Sequence, residues 1–160
     1  GSIMRYTATL ANTVPENLED RGIADAIFES SQEMFQPLNA TINFRLGEDY
    51  ENFKKSILDD FGPRLSYFNK FLGNDQSGPF FFGQSPFYCD FGTYHQFSLI
   101  RVLDNTIFDD FPSVKLFMSE VENLAGVSDY LSSRPELIGV SEEPKLVING
   151  KAVPTGMKPD

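Results

Sequence analysis

The stretch Gly83-Gln-Ser85-Pro-Phe87-Tyr-Cys89-Asp90-Phe-Gly92-Thr-Tyr94-His95-Gln-Phe97-Ser98-Leu-Ile100-Arg-Val-Leu103 decides the architecture of this chain. It opens on turn residues and then runs apolar for about five helical turns. Phe91, Tyr94, His95, Ser98, Leu99 and Val102 recur at helical spacing, while Phe97, Ile100 and Leu103 occupy other faces. A helix that is apolar on most sides belongs inside a bundle. Asp90 stands near its start, where a carboxylate accepts backbone N–H groups that the helix leaves unpaired.

The surrounding composition fits one helical domain. The chain has 160 residues, 14% of them aromatic, with 16 Phe and no Trp, which is enough apolar content for a core and argues against disorder. The net charge of -10 argues against a nucleic-acid partner or an anionic membrane surface, both of which select basic faces. No apolar run reaches the roughly 18 residues of a membrane span. Cys89 is the only cysteine, so neither an intrachain disulfide nor a Cys-based zinc site is expected, and a reducing compartment such as the cytoplasm fits.

Upstream, residues 3–11 (Ile3, Met4, Tyr6, Leu10) read as a short amphipathic helix. After a loop at Asn12–Pro15 comes a long helix with Ile23, Ile27, Met34, Leu38 and Ile42 on one broad face, kinked at Pro37 and ended by Gly47. Glu16, Glu19 and Asp20 crowd its beginning, where the helix dipole favours negative charge. Tyr50, Phe53, Ile57, Phe61, Leu65, Phe68 and Leu72 then repeat at intervals of three and four. Gly62-Pro63 interrupts that pattern without shifting its phase, which predicts a bend within one helix. A loop follows at Gly73–Pro79, and Phe80–Phe82 are expected to lead in extended form into the central helix.

Downstream, Phe111-Pro112-Ser113 starts a helix with Val114, Phe117, Met118 and Val121 inward. Ala125-Gly126-Val127 breaks it, and Tyr130 and Leu131 belong to a last short helix that stops at Arg134-Pro135. Lys145–Val153 carries two short apolar runs around Asn149-Gly150, the strongest short hairpin signal. A small hairpin and an extended tail both fit. The expectation is an all-α bundle of about five or six helices over residues 1–140, with a tail over 141–160.

At this level of detail the chain resembles the C-terminal helical domain of cytosolic glutathione transferases, of sigma, mu or pi type. Ser2-Ile3-Met4-Arg5-Tyr6 resembles the segment that links the family's two domains, and Asp20–Ile27 the start of the first long helix of the C-terminal one. Phe82–Phe91 resembles the signature that opens the central helix, and Phe111–Ser113 with Val127–Glu136 resembles the closing helices. The family usually places Ser or Thr three residues before the aspartate, forming a capping box with it. Here that position is Phe87. Either Ser85 substitutes or Asp90 acts alone, and Asp90 reads as a structural cap rather than a catalytic acid.

The resemblance implies a division of labour. In the family a thioredoxin-like domain activates the glutathione thiol, and the chain starts just after the point where that domain's glutathione-gripping pair would stand. No catalytic residue is therefore expected in this half, and glutathione enters only as co-substrate of a full-length parent, without any other cofactor. By resemblance, Glu33 reaches across a dimer to the glutathione amino group. Phe35, Leu38, Asn39 and Ile42 are the matching candidates for the pocket that holds hydrophobic small molecules. Glu29, Gln32 and Glu33 match a carboxylate cluster that binds a divalent ion in some sigma-class relatives; Gln32 breaks it, so no metal is expected. The resemblance implies two partners, the thioredoxin-like domain and a second copy of the chain.

Other chemistry-bearing residues read as structural. His95, the only histidine, has no Ser-His-Asp arrangement around it and reads as a hydrogen-bonded core residue. Cys89 reads as a small buried hydrophobe. Gly83 and Gly92 lack the companions of a phosphate loop. Two functions remain in view: the electrophile-side half of a glutathione-conjugating enzyme, and a non-catalytic interaction module of the same fold.

Overall fold

The computed structural model describes residues 1–74, 77–134 and 140–142, and the backbone of 147–148 and 151–152. The architecture is an all-α bundle. Its elements are α1 (Ser2–Leu10), α2 (Leu18–Gln32), α3 (Phe35–Phe44), α4 (Gly47–Asn74), α5 (Tyr88–Leu103), a 3-10 turn (Ile107–Asp110), α6 (Pro112–Glu122) and α7 (Val127–Ser133). Two short strands, β1 (Val147–Ile148) and β2 (Lys151–Ala152), pair antiparallel in the tail.

The central helix α5 is buried along most of its length. Its surroundings explain why the sequence is apolar on several faces: α2 and α3 pack on one side and α6 on another. Phe97 is fully enclosed, with the rings of Phe68, Phe108 and Phe117 at 5.4, 5.8 and 6.2 Å. Phe81 joins this group against Phe117 at 5.4 Å. Gly92 allows α2 to come close, since a Cβ there would stand 2.5 Å from the Phe28 ring. Val102, placed with the apolar set by its spacing, instead faces solvent.

The long helix read from Ile23 to Ile42 is two helices. α2 ends at Gln32 and α3 begins at Phe35, so the interruption lies upstream of Pro37. A proline ring excludes the carbonyl four residues before it, here that of Glu33, while its missing N–H is harmless in a helix's first turn. The break at Glu33-Met34 follows from that clash. In α4, by contrast, Pro63 is accommodated inside a single helix of 28 residues. Tyr50, Ile57, Phe61, Leu65, Phe68 and Leu72 form its buried face. Phe53 is more exposed and lies under the Arg45 guanidinium at 3.6 Å.

One further expectation is corrected. Phe80–Phe82 do not run extended: Phe80 and Gly83 exchange backbone hydrogen bonds of 3.1 and 3.2 Å, which folds the segment into a tight turn. Gly83 sits at φ 103, a value that favours glycine. The short helix α1 forms as its spacing predicts, and its apolar residues divide: Met4 packs against the core while Ile3, Tyr6 and Leu10 turn outward. Ile3, Tyr6 and Leu10 are 79, 67 and 67% exposed, and Ala8 is the residue buried against the bundle.

Long-range side-chain bonds tie the elements together. Asn69 of α4 lends its Oδ1 to the backbone N–H groups of Ser113 and Val114 at 2.8 and 3.3 Å, capping α6 from another helix. Asn69→Ala is expected to reduce stability by about 1 kcal/mol, read as a lower urea midpoint at unchanged slope. An unchanged midpoint would show that the α6 terminus does not depend on this bond. At the other end of the chain, the Gly47 N–H donates to the Ser141 carbonyl at 3.2 Å, and Leu46 and Ser141 form a parallel bridge. Residues 140–142 are thereby attached to the α3–α4 corner. The antiparallel register pairs Val147 with Ala152 and Ile148 with Lys151; Asn149 and Gly150 lie outside the described residues.

Candidate functional site

A carboxylate enclosed in the core, such as that of Asp90, invites an acid–base reading. It is fully buried. Its Oδ1 accepts the Phe81 N–H at 3.0 Å and its Oδ2 the Phe87 N–H at 2.8 Å. Phe87 is the N-cap residue and supplies no side-chain bond, so Asp90 forms half of a capping box by itself. Ser85 is exposed, two residues ahead of the N-cap. Burial pushes the Asp90 carboxyl up to about 6, against the pull of the Phe81 and Phe87 N–H groups. Both oxygens are thus engaged by the fold's own backbone, joining the Phe80–Gly83 turn to the start of α5.

A second cluster joins α1, α2 and α5. Arg5 Nε donates to Asp25 Oδ1 at 2.6 Å, a second Arg5 nitrogen reaches Glu29, and Tyr88 Oη donates to the same Asp25 oxygen at 2.9 Å. The hydrogen bond from Arg5 holds the Asp25 carboxyl below its ordinary range. Burial, then Asp25, pushes the Tyr88 hydroxyl up to about 12. Tyr94 on the same helix is likewise pushed up to about 12 by burial and by its bond to Glu122, at 3.0 Å. Burial also pushes up the Cys89 thiol, which is fully enclosed. None of these three groups is poised to generate a nucleophile, because each is buried and held in its protonated form. His95 departs from its expected place: it lies on the exposed side of α5 and not in the core.

The third neighbourhood surrounds the α2–α3 break, where the sequence places the binding candidates. Gln32 is held from beneath by Gln96, whose Nε2 donates to Gln32 Oε1 at 3.3 Å. Glu33 is exposed and accepts from Arg64 Nη1 of α4 at 2.7 Å. Of the three residues weighed as a cation cluster, Glu29 meets Arg5, Gln32 meets Gln96 and Glu33 meets Arg64. Among the described residues no group of three or more His, Cys, Asp or Glu is arranged to hold a metal.

The four apolar-site candidates separate by face. Leu38 and Ile42 are sealed in the core at 0 and 2% exposure, so neither offers surface to a ligand. Phe35 and Asn39 are accessible, and Asn43 follows them at the same helical interval. Phe35, Asn39 and Asn43 thus make one outward ridge. Sequence reading missed Asn43, Arg64, Arg5 and Tyr88. The i, i+4 spacing of Asn39 and Asn43 was the available signal for the first; the others depend on contacts between distant elements.

Elsewhere on the bundle, a groove of about 410 Å³ runs between α2 and α4. Ile23, Ala26, Ile27 and Ser30 form one wall and Tyr67, Phe68 and Phe71 the other. No described helix is long and apolar enough to cross a membrane.

Comparison with known proteins places this geometry. A family model described as glutathione S-transferase, C-terminal domain, matches residues 32–134. Glutathione S-transferase Mu 3 of Homo sapiens is 29% identical over 158 residues, covering 99% of this chain and 64% of the relative. Glutathione S-transferase Mu 2 of Mus musculus is 30% identical over 135 residues, covering 82% of the chain and 58% of the relative. Among solved structures, the Pi-class glutathione S-transferase of Onchocerca volvulus superposes with a TM-score of 0.72 at 23% identity, over 84% of this chain and 64% of that one. The glutathione S-transferase Blo t 8 superposes at 0.73 and 19% identity, over 82% and 61%. The chain spans less than two thirds of the length of each.

Proposed function

Since the chain belongs to the glutathione S-transferase family through its C-terminal domain, we propose that it is the electrophile-side half of an enzyme conjugating glutathione to hydrophobic electrophiles in the cytoplasm. The sulfur chemistry lies in a thioredoxin-like domain corresponding to the part of the relatives that this chain does not span. The observation that carries the reading is α1. The Arg5–Asp25–Tyr88 bonds fix it to the bundle, yet Ile3, Tyr6 and Leu10 point outward on one stripe. An ordered apolar stripe of this kind is suited to burial against further polypeptide. The thioredoxin-like domain fits there, and the accessible ridge of α3 faces the electrophile. Holding two reactants together then supplies much of the rate.

The assay compares the 160-residue chain with the same chain joined to a thioredoxin-like domain from a relative. Glutathione and an aryl halide serve as substrates. Conjugation is expected above background only in the joined form. Turnover by the chain alone would refute the division of labour. A folded, inactive joined protein would favour the non-catalytic interaction module instead.

The reading includes a dimer, with Glu33 of one copy meeting the glutathione amino group held by the other. The groove between α2 and α4 supports it, because apolar surface of this kind seeks a partner. Tyr67 is 63% exposed on its rim, so Tyr67→Glu should leave the fold intact. Sedimentation is expected to show self-association at micromolar concentration and a shift to monomer in the variant. A wild-type chain that sediments as a monomer would count against the dimer.

A further inference from the structure

We infer that Asn39 and Asn43 form a built polar pair that makes the electrophile site select ligands carrying an acceptor oxygen, such as a carbonyl, over apolar ligands of the same size. The inference rests on the reading of the α3 ridge as the wall of that site. It adds a specificity that apolar lining residues cannot supply.

The pair is defined by its hydrogen bonds. Asn43 Nδ2 donates to the Asn39 carbonyl at 3.0 Å and to Asn39 Oδ1 at 2.7 Å. A backbone carbonyl only accepts, so the first bond fixes which end of the Asn43 amide faces Asn39. The second bond then fixes the Asn39 amide, because Nδ2 of one must meet Oδ1 of the other. Asn39 is left presenting its Nδ2, with two N–H donors, to a partner outside the pair. Its oxygen, which would repel an acceptor, is already occupied.

Asn39 and Asn43 are half-buried and Phe35 is exposed, all on one ridge of α3. The ring of Phe35 offers an apolar surface for an aromatic ligand body, and the donor stands one helical turn away. Partial burial strengthens a hydrogen bond relative to open water. A ligand with a carbonyl satisfies the donor; one without it displaces water from Nδ2 and returns nothing.

The test uses the 15N-labelled chain and two inert probes of similar size, acetophenone and chlorobenzene. Acetophenone is expected to shift the Asn39 side-chain amide resonances together with backbone amides near Phe35. It should bind about 3- to 10-fold more tightly than chlorobenzene, the range of a single net hydrogen bond. In Asn39→Asp, which keeps the acceptor for Asn43 but loses the donor, the preference should fall to about one. Equal binding of the two probes along α3 in the wild type, or a preference that survives Asn39→Asp, would overturn the polar pair and leave the wall reading standing. If neither probe shifts any α3 resonance, the wall reading fails and takes this inference with it.

Discussion

Asp90→Ala is expected to lower the unfolding free energy by about 3 kcal/mol at neutral pH, since two buried backbone donors lose their acceptor and each such loss costs about 1–3 kcal/mol. The donors are the N–H groups of Phe81 and Phe87. No water can replace the carboxylate easily, because the site is fully enclosed. The pH dependence of this effect has a definite sign. Burial lifts the folded-state carboxyl to about 6, above the ordinary value of about 4 in the unfolded chain. The folded state therefore binds the proton more tightly than the unfolded state. The resulting stability is fully present below about pH 4 and is lost as the pH rises through about 6. At about 1.4 kcal/mol per pH unit, the margin of wild type over Asp90→Ala should shrink by roughly 2–3 kcal/mol between pH 4 and pH 7. Urea titrations of both proteins across that range measure it. A margin that widens with rising pH would show that the ionised carboxylate is the better-bound form and would overturn the burial argument.

Phe97→Ala should have the largest effect of any single truncation in the core, about 4 kcal/mol. Phe97 is fully buried and is ringed by Phe68, Phe108 and Phe117, which come from α4, the 3-10 turn and α6. Three elements that meet around one side chain cannot all move inward to fill the space it leaves. The loss therefore includes a cavity as well as the transfer of the ring. Against a total stability of about 5–15 kcal/mol, this leaves a marginal fold. Phe97→Leu keeps most of the volume and is expected to cost about 1.5 kcal/mol or less. The pair of variants separates cavity from contact. A loss below about 1 kcal/mol in Phe97→Ala would mean that the α4–α5–α6 junction is loosely packed.

The regular parts of the structure were legible because their signals are local. The face of α4 from Tyr50 to Leu72 repeats at helical intervals over many turns, and burial follows it with only Phe53 displaced. Pro112 stands at the start of α6, as its fixed φ favours. Gly126, at φ 80, divides α6 from α7. The capping role of Asp90 could be anticipated from its position, whereas its second partner, Phe81, lies nine residues back in a turn that reads as extended from sequence.

What the chain's order of residues determined by itself was the helical class, the buried centre at α5 and the family, because periodicity, turn residues and a spaced signature are properties of neighbours along the chain. Only the tertiary structure decided that α1 turns Ile3, Tyr6 and Leu10 outward, that Leu38 and Ile42 are sealed, that Asn69 caps α6 and that Arg64 holds Glu33. Amphipathic spacing reports that a helix has an apolar face but not what covers it. A hydrogen bond between residues 31 or 44 positions apart leaves no mark on the residues between them.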